Sequence, residues 1–369
     1  MNKTGEMRIA LFGQSTSGKT TLLASYFGNQ QRDDFKKKYG YSLAVEDVSM
    51  RNKLLSRYYQ MEGDNRGKDG GKFPLGTKSF ERHDFNFMLH ELREPGLKIV
   101  WYDYPGGWWE NTPENLEEER CRRKAFGNLL QSHVGILLVD GVQYNDKGIE
   151  YVKLLLNQFS SEIEGIKNFL GNEGNSIKED TFPKQWIIAI SKADVLPKGM
   201  TAEDISKKFV SHAADQLNGL REAVNSEDFG SQYMLISSAS CEGRKVINVH
   251  QYIGFQLIAP VVLLSVLAEL AKKTSRGRVS GTFKGIFEGL KGLVGFIDKI
   301  DDFLPKKYQL ITHLLKVINL QEGLEKGVGF FRKKQEIAAQ KGKIKDAVIN
   351  AMKAELASDE AQRVFFRNH

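Results

Sequence analysis

Residues 7–28 read MRIALFGQSTSGKTTLLASYFG. Residues 9–12 form an apolar run of the right length for a buried strand. Gly13-Gln14-Ser15-Thr16-Ser17-Gly18-Lys19-Thr20 follows, and then Leu22, Leu23 and Tyr26 recur at helical spacing. The pattern G-x-x-x-x-G-K-[ST] between a strand and a helix is the setting in which a loop cradles a polyphosphate. A polyphosphate needs several N–H donors aimed at one point, and a helix N-terminus adds favourable partial charge. Gly13 and Gly18 let the backbone turn tightly and approach the phosphates. The expected cradle is Gly13, Ser15, Thr16, Ser17, Gly18, Lys19, Thr20 and Thr21. Lys19 is expected to reach the β- and γ-phosphates, and the Thr20 hydroxyl to ligate Mg²⁺.

Outward from this stretch, apolar strands and amphipathic helices alternate. Residues 29–78 are polar and interrupted by glycines, with a short helix expected at 53–61 and a loop at 64–72. Residues 79–90 and 97–102, separated by Glu94-Pro95-Gly96, read as an antiparallel hairpin. Further strands are expected at 134–139, 186–190 and 233–236, and helices at 113–130, 149–170 and 201–224. Thr201, with Asp204 three residues on, is the expected cap of the last helix. The predicted fold is α/β: a mostly parallel six-stranded sheet with helices on both faces, followed by a C-terminal helical region. The division is residues 1–273 and 274–369.

Short polar motifs stand at the ends of these strands, where open α/β sheets bind ligands. They are Asp103-Tyr104-Pro105-Gly106, Ser191-Lys192-Ala193-Asp194 and Ser238-Ala239. With the loop at 13–20 they match, in order, the D-x-x-G, [NTS]-K-x-D and S-A motifs. Through these motifs, over residues 7 to about 272, the chain resembles the P-loop GTPases of the translation-factor and Ras-like class. The resemblance implies a Ras-like P-loop NTPase fold, GTP and GDP as ligands, Mg²⁺ as cofactor, and slow GTP hydrolysis driving a conformational switch. Asp103 would join Thr20 at the metal. The Gly106 N–H would contact the γ-phosphate. Asp194 would accept two N–H donors of guanine, Lys192 would lay its stem over the base, Ser191 would bond back to the phosphate loop, and Ser238-Ala239 would supply an N–H to the guanine carbonyl. Thr77 resembles the family's switch threonine, a second metal-binding and catalytic candidate beside Lys19; Ser56 and Ser79 stand in the same interval as alternatives.

Two positions depart from the family's pattern. Ser191 stands where Asn is most frequent, which weakens the expected guanine selectivity. Gly107 occupies the place of the water-orienting Gln, so Glu110 becomes the catalytic candidate, alongside a group from a partner. Arg82, Arg120, Arg122 and Arg123 are close enough in sequence to act in cis or across a homodimer. An ATPase, and a nucleotide-dependent membrane or scaffold protein with little hydrolysis, are the alternative readings.

The 369 residues are 41% hydrophobic and 27% charged, as in a globular protein with a sizeable core. Two cysteines, far apart, argue for a reducing cytoplasm, and no His/Cys cluster suggests zinc. The apolar run at the N-terminus is too short for a signal peptide. Residues 252–268 carry no charge, but Gln256 and Pro260 argue for a closing helix over a membrane span. The net charge of +7 is uneven: residues 272–369 carry +9 and the remainder −2. Residues 281–304 form an apolar helical stripe with glycines and lysines opposite, followed by amphipathic patterns at 308–324 and 335–356. A bundle on the nucleotide domain, a protein partner and peripheral membrane contact through 281–304 all fit. The basic tail points to an anionic partner such as a membrane surface or nucleic acid, of which nucleic acid is the less expected. The expected setting is a bacterial-type cytoplasm, with possible membrane association.

Overall fold

A computed structural model describes residues 5–39, 41–63, 71–89, 97–109, 111–172, 183, 185–242, 245–254, 258 and 363–367. β1 (Gly5–Phe12) runs through the loop of residues 13–18 into α1 (Lys19–Gln30). α2 (Asp33–Tyr39), β2 (Tyr41–Ala44) and α3 (Val48–Glu62) lead to the hairpin of β3 (Glu81–Leu89) and β4 (Leu97–Asp103). α4 (Leu116–Leu130), β5 (Val134–Asp140), α5 (Gly141–Asn172) and β6 (Gln185–Ser191) follow. Then come α6 (Ala202–His212), α7 (Ala214–Ala223), β7 (Gln232–Leu235), the small hairpin β8 (Ser240–Glu242) and β9 (Lys245–Asn248), and finally β10 (Val364–Phe366).

The main sheet has the order β10-β7-β6-β5-β1-β4-β3-β2. β4, β1, β5, β6 and β7 are parallel, β3 is antiparallel to β4, and β2 and β10 are antiparallel edges. The α/β class and the mostly parallel sheet are as expected, but the sheet has eight strands rather than six. The two additions are edge strands of four and three residues, too short to show an alternating pattern. Residues 363–367, assigned by sequence to the helical module, belong to this sheet: Val364 pairs with Met234 and is buried.

β5 and β6 are buried along their whole length, as central parallel strands covered on both faces must be. β1 shows how the two faces divide. Ala10 and Phe12 join the core built with α4 to α7. The alternate Met7, Ile9 and Leu11 are also buried and face the other way, where Tyr26 of α1 packs on Trp101, ring centroids 5.6 Å apart. Trp186 centres the first core, 5.2 Å from Phe12, 5.6 Å from Phe159 and 5.3 Å from Phe229.

Local signals place several boundaries. Thr201 and Asp204 form the expected reciprocal cap of α6. The single helix expected over 201–224 is two, because Ala213 leaves helical geometry at φ −131°. α5 starts earlier than expected and breaks at Gly148, φ 62°. The expected helices at 281–304, 308–324 and 335–356, and most of residues 252–268, lie outside the described residues. Among the described residues no helix is long and apolar enough to cross a membrane.

Candidate functional site

The C-terminal ends of β1, β4, β5, β6 and β7 open onto one cleft of about 560 Å³. One end of it is the loop before α1, the expected phosphate cradle. Gly18 has φ 92°, a left-handed conformation that only glycine adopts freely, and it turns the loop into the helix. Lys19 is buried, its Nζ 2.6 Å from the Gly13 carbonyl and 4.7 Å from the centroid of the Tyr104 ring. The Tyr104 hydroxyl accepts the Gly13 N–H at 2.9 Å, so the D-x-x-G segment supports the phosphate loop directly. Gly106 lies closest to that loop: a Cβ there would stand 2.5 Å from Ser15 Cα, so a side chain would force the two segments apart. Ser15, Thr16, Ser17, Gly18, Lys19, Thr20 and Thr21 all line the cleft, with Gly13 immediately behind.

Beside the phosphate end, Asp103 is fully buried. The Thr20 hydroxyl donates to Asp103 Oδ2 at 2.9 Å, the Thr77 hydroxyl donates to the same oxygen, and the two hydroxyl oxygens lie 2.9 Å apart. Two hydroxyls and one buried carboxylate oxygen converging on one point are a hard oxygen set that fits Mg²⁺. Of the three hydroxyl candidates in this interval, Thr77 is buried at this cluster, whereas Ser56 and Ser79 are exposed.

Thr77 ends a strap, residues 71–77, of which Phe73, Pro74, Gly76 and Thr77 line the cleft. Gly71 exchanges two hydrogen bonds with Val246 of β9, at 2.9 and 3.0 Å. Lys72 N–H bonds the Gln60 carbonyl of α3 at 2.9 Å. Between these anchors and Thr77, Pro74 is buried, whereas Leu75 is 79% exposed.

At the other end of the cleft, Ser191, Lys192, Asp194, Ser238 and Ala239 come together. Ser237 donates to Asp194 Oδ1 at 2.5 Å and lies 2.8 Å from the Ala239 carbonyl, so it joins the two motifs. Ser25 of α1 donates to the Ser238 carbonyl at 2.6 Å, tying the S-A loop to the helix of the phosphate end. Cys241 lines this end; burial, with Asp194 nearby, pushes its thiol up to about 11, so it stays protonated at neutral pH. The Ser191 hydroxyl donates to the Val139 carbonyl at 3.3 Å, not to the phosphate loop as expected. The link to that loop is made by Asp140 instead, which bonds both Lys192 and Thr16.

Glu110, the expected catalytic carboxylate, lies outside the described residues. The arginine candidates are engaged elsewhere or exposed. Trp108 packs on Phe126 of α4, ring centroids 6.3 Å apart, with the Arg122 guanidinium over its ring. Arg122 is buried, paired with Glu118 at 2.6 Å and donating to the Asn111 carbonyl. Arg123 pairs with Glu119 at 3.2 Å, and Arg82 pairs with Asp84 at 2.7 Å on β3. Arg120 is exposed on α4.

Sequence reasoning missed Tyr104, Asp140, Ser25 and Ser237. Two carried a usable signal: Asp140 is the one acid at the end of the apolar run VGILLVD, and Ser237 opens the tract Ser-Ser-Ala-Ser.

No family model matches the chain, and no curated protein matches it. Among solved structures it is similar to a chain of the signal recognition particle receptor SRb-GTP/SRX complex from Chaetomium thermophilum. That match has 12% identity and a TM-score of 0.34, over 65% of this chain and 93% of that one. The G domain of the FeoB iron transporter of T. maritima is 12% identical at a TM-score of 0.28, over 70% and 97%. Translation elongation factor SelB of Methanococcus maripaludis, in complex with the GTP analogue GppNHp, is 14% identical at a TM-score of 0.26. That match covers 64% of this chain and only 30% of the factor. At such TM-scores the likenesses carry no weight; the fold assignment rests on the strand order and on the loops at the strand ends.

Proposed function

We propose that the chain binds guanine nucleotides in this cleft and hydrolyses GTP to GDP and phosphate in a Mg²⁺-dependent conformational switch. The observation that carries the reading is the convergence of Thr20, Thr77 and Asp103 beside the loop of Lys19. Nothing but the fold brings these three segments together, and their chemistry suits a metal-bound triphosphate.

In this reading the N–H groups of residues 13–21 and the Lys19 ammonium hold the phosphates. Thr20, Thr77 and Asp103 would hold Mg²⁺, which supplies positive charge to the β- and γ-oxygens. Gly106 offers its N–H to the γ-phosphate. Asp194, fixed by Ser237, accepts two guanine N–H groups, and Ala239 donates to the guanine carbonyl. Adenine presents no matching pair of donors on that edge. Loss of the γ-phosphate would release Thr77 from its place beside Thr20 and Asp103. The strap is then free to move at that end while Gly71 keeps its bonds to Val246. Gly107 has no side chain to order the attacking water, and Arg122 and Arg123 are held by their own helix.

Hydrolysis by the isolated protein is therefore slow, of order 10⁻⁴ to 10⁻² s⁻¹. Phosphate release from GTP, followed with and without Mg²⁺ and across protein concentrations, measures this. The expected result is slow, Mg²⁺-dependent turnover that Lys19→Ala abolishes. Turnover that persists in Lys19→Ala, or none at any concentration with Mg²⁺ present, would overturn the hydrolase reading.

A further inference from the structure

Asp140 closes β5 and is almost fully buried beneath the cleft. Its Oδ1 accepts the Val142 N–H at 2.9 Å, which fixes the turn into α5. Its Oδ2 accepts twice: from Lys192 Nζ at 2.7 Å and from Thr16 Oγ1 at 3.3 Å. One carboxylate oxygen therefore joins the phosphate loop to the loop at the opposite end of the cleft.

The backbones of its two partners share an unusual feature. Among the described residues only three non-glycine residues have positive φ: Thr16 at 64°, Lys192 at 51° and Asn225 at 48°. Two of the three are the residues that donate to Asp140. A left-handed backbone is disfavoured for any residue with a Cβ, and most of all for a β-branched one such as Thr16. Such a conformation persists when surrounding contacts hold it. Ser191, which the family's pattern would lead to the phosphate loop, spends its hydroxyl on Val139.

We infer that Asp140 is a positioning residue for the nucleotide site: it clamps Thr16 and Lys192 in left-handed conformations and thereby sets the phosphate and base ends of the cleft in one register. It takes over the link that Ser191 does not make. The Lys192 head is held by Asp140, so its aliphatic stem lies fixed as a shelf for the base. Thr16 is held so that the loop's N–H groups point into the cleft before ligand arrives. This inference rests on the nucleotide reading above and adds the residue that preorganises it.

The test is titration calorimetry of GDP with the full chain. The proteins are wild type, Asp140→Ala, Asp140→Asn, and Asp140→Ala combined with Thr16→Gly, each checked for folding by its melting curve. Removing the carboxylate is expected to weaken GDP binding by about 10- to 100-fold. Asp140→Asn keeps an acceptor oxygen and is expected to lose several-fold less. Glycine adopts the left-handed backbone without penalty, so Thr16→Gly is expected to restore at least about threefold of affinity in the Asp140→Ala background. A purely structural role for Asp140 would give no such rescue. If Asp140→Ala does not fold, the Asn variant carries the test: reduced affinity at an unchanged melting temperature supports the clamp, and unchanged affinity overturns it. Wild-type affinity in Asp140→Ala, or no rescue by Thr16→Gly, overturns this inference alone. A wild type that binds no GDP overturns the nucleotide reading and this inference with it.

Discussion

The role proposed for Asp194 depends on its neighbours. Its carboxylate is half-buried and accepts the Ser237 hydroxyl at 2.5 Å, which leaves the other oxygen directed by a fixed geometry. A carboxylate held this way matches two N–H donors on one edge of a base, and an amide does not. Asp194→Asn is therefore expected to lower GDP affinity by about 10- to 100-fold and to raise relative affinity for xanthosine diphosphate, whose edge offers a carbonyl to the new donor. Competition binding of the two diphosphates reads this directly; an unchanged ratio would remove Asp194 from base recognition. The motif spacing alone pointed to Asp194. It could not point to Ser237, because that contact depends on β7 ending beside β6, 43 residues away in sequence.

At the scale of elements, the strap is stretched between two fixed pieces of structure. One is β9, through Gly71. The other is the start of β3, where Glu81 binds α3 to the sheet. Glu81 pairs with Lys53 at 2.6 Å, Arg57 at 3.6 Å and the buried His83 at 3.4 Å. Burial alone would raise its pKa, but the close approach of His83, the hydrogen bond from Lys53 and the charge of Arg57 outweigh it and hold the carboxyl at about 2, from 4.5. A group with a depressed folded-state pKa stabilises fully above its unfolded value. That stability is lost as pH falls through the folded value. Glu81→Gln is accordingly expected to cost about 1–3 kcal/mol at pH 7, with the difference from wild type shrinking between pH 4.5 and 2. Denaturant unfolding across that range measures it, and a difference that does not change with pH would contradict this account of the anchor. The strap's own path was not legible in the sequence. Residues 71–77 have no periodicity, and Thr77 was distinguishable from Ser56 and Ser79 only by its burial against Asp103.

The molecule as a whole follows from a pattern that is largely local. The five parallel strands and β3 were legible because each is an apolar or alternating run bounded by turn residues. Their C-terminal ends carry the polar motifs because that is where an open α/β sheet leaves its backbone groups uncovered. The edge strands β2 and β10 were not legible: each is defined by its partner rather than by its own sequence, and β10 reaches β7 from more than one hundred residues further along the chain. Asp140 was overlooked for a related reason. The role proposed for it rests on contacts 52 and 124 residues away, and its own stretch of sequence shows only an acid at a strand end.

The central claim is that this cleft selects guanine nucleotides, and titration calorimetry of GDP, GTP and ATP against the full chain with Mg²⁺ tests it most directly. The account predicts that GDP and GTP bind with ATP weaker by about 100-fold or more, because adenine leaves the Asp194 carboxylate without its two donors. Equal affinity for ATP and GTP would contradict it.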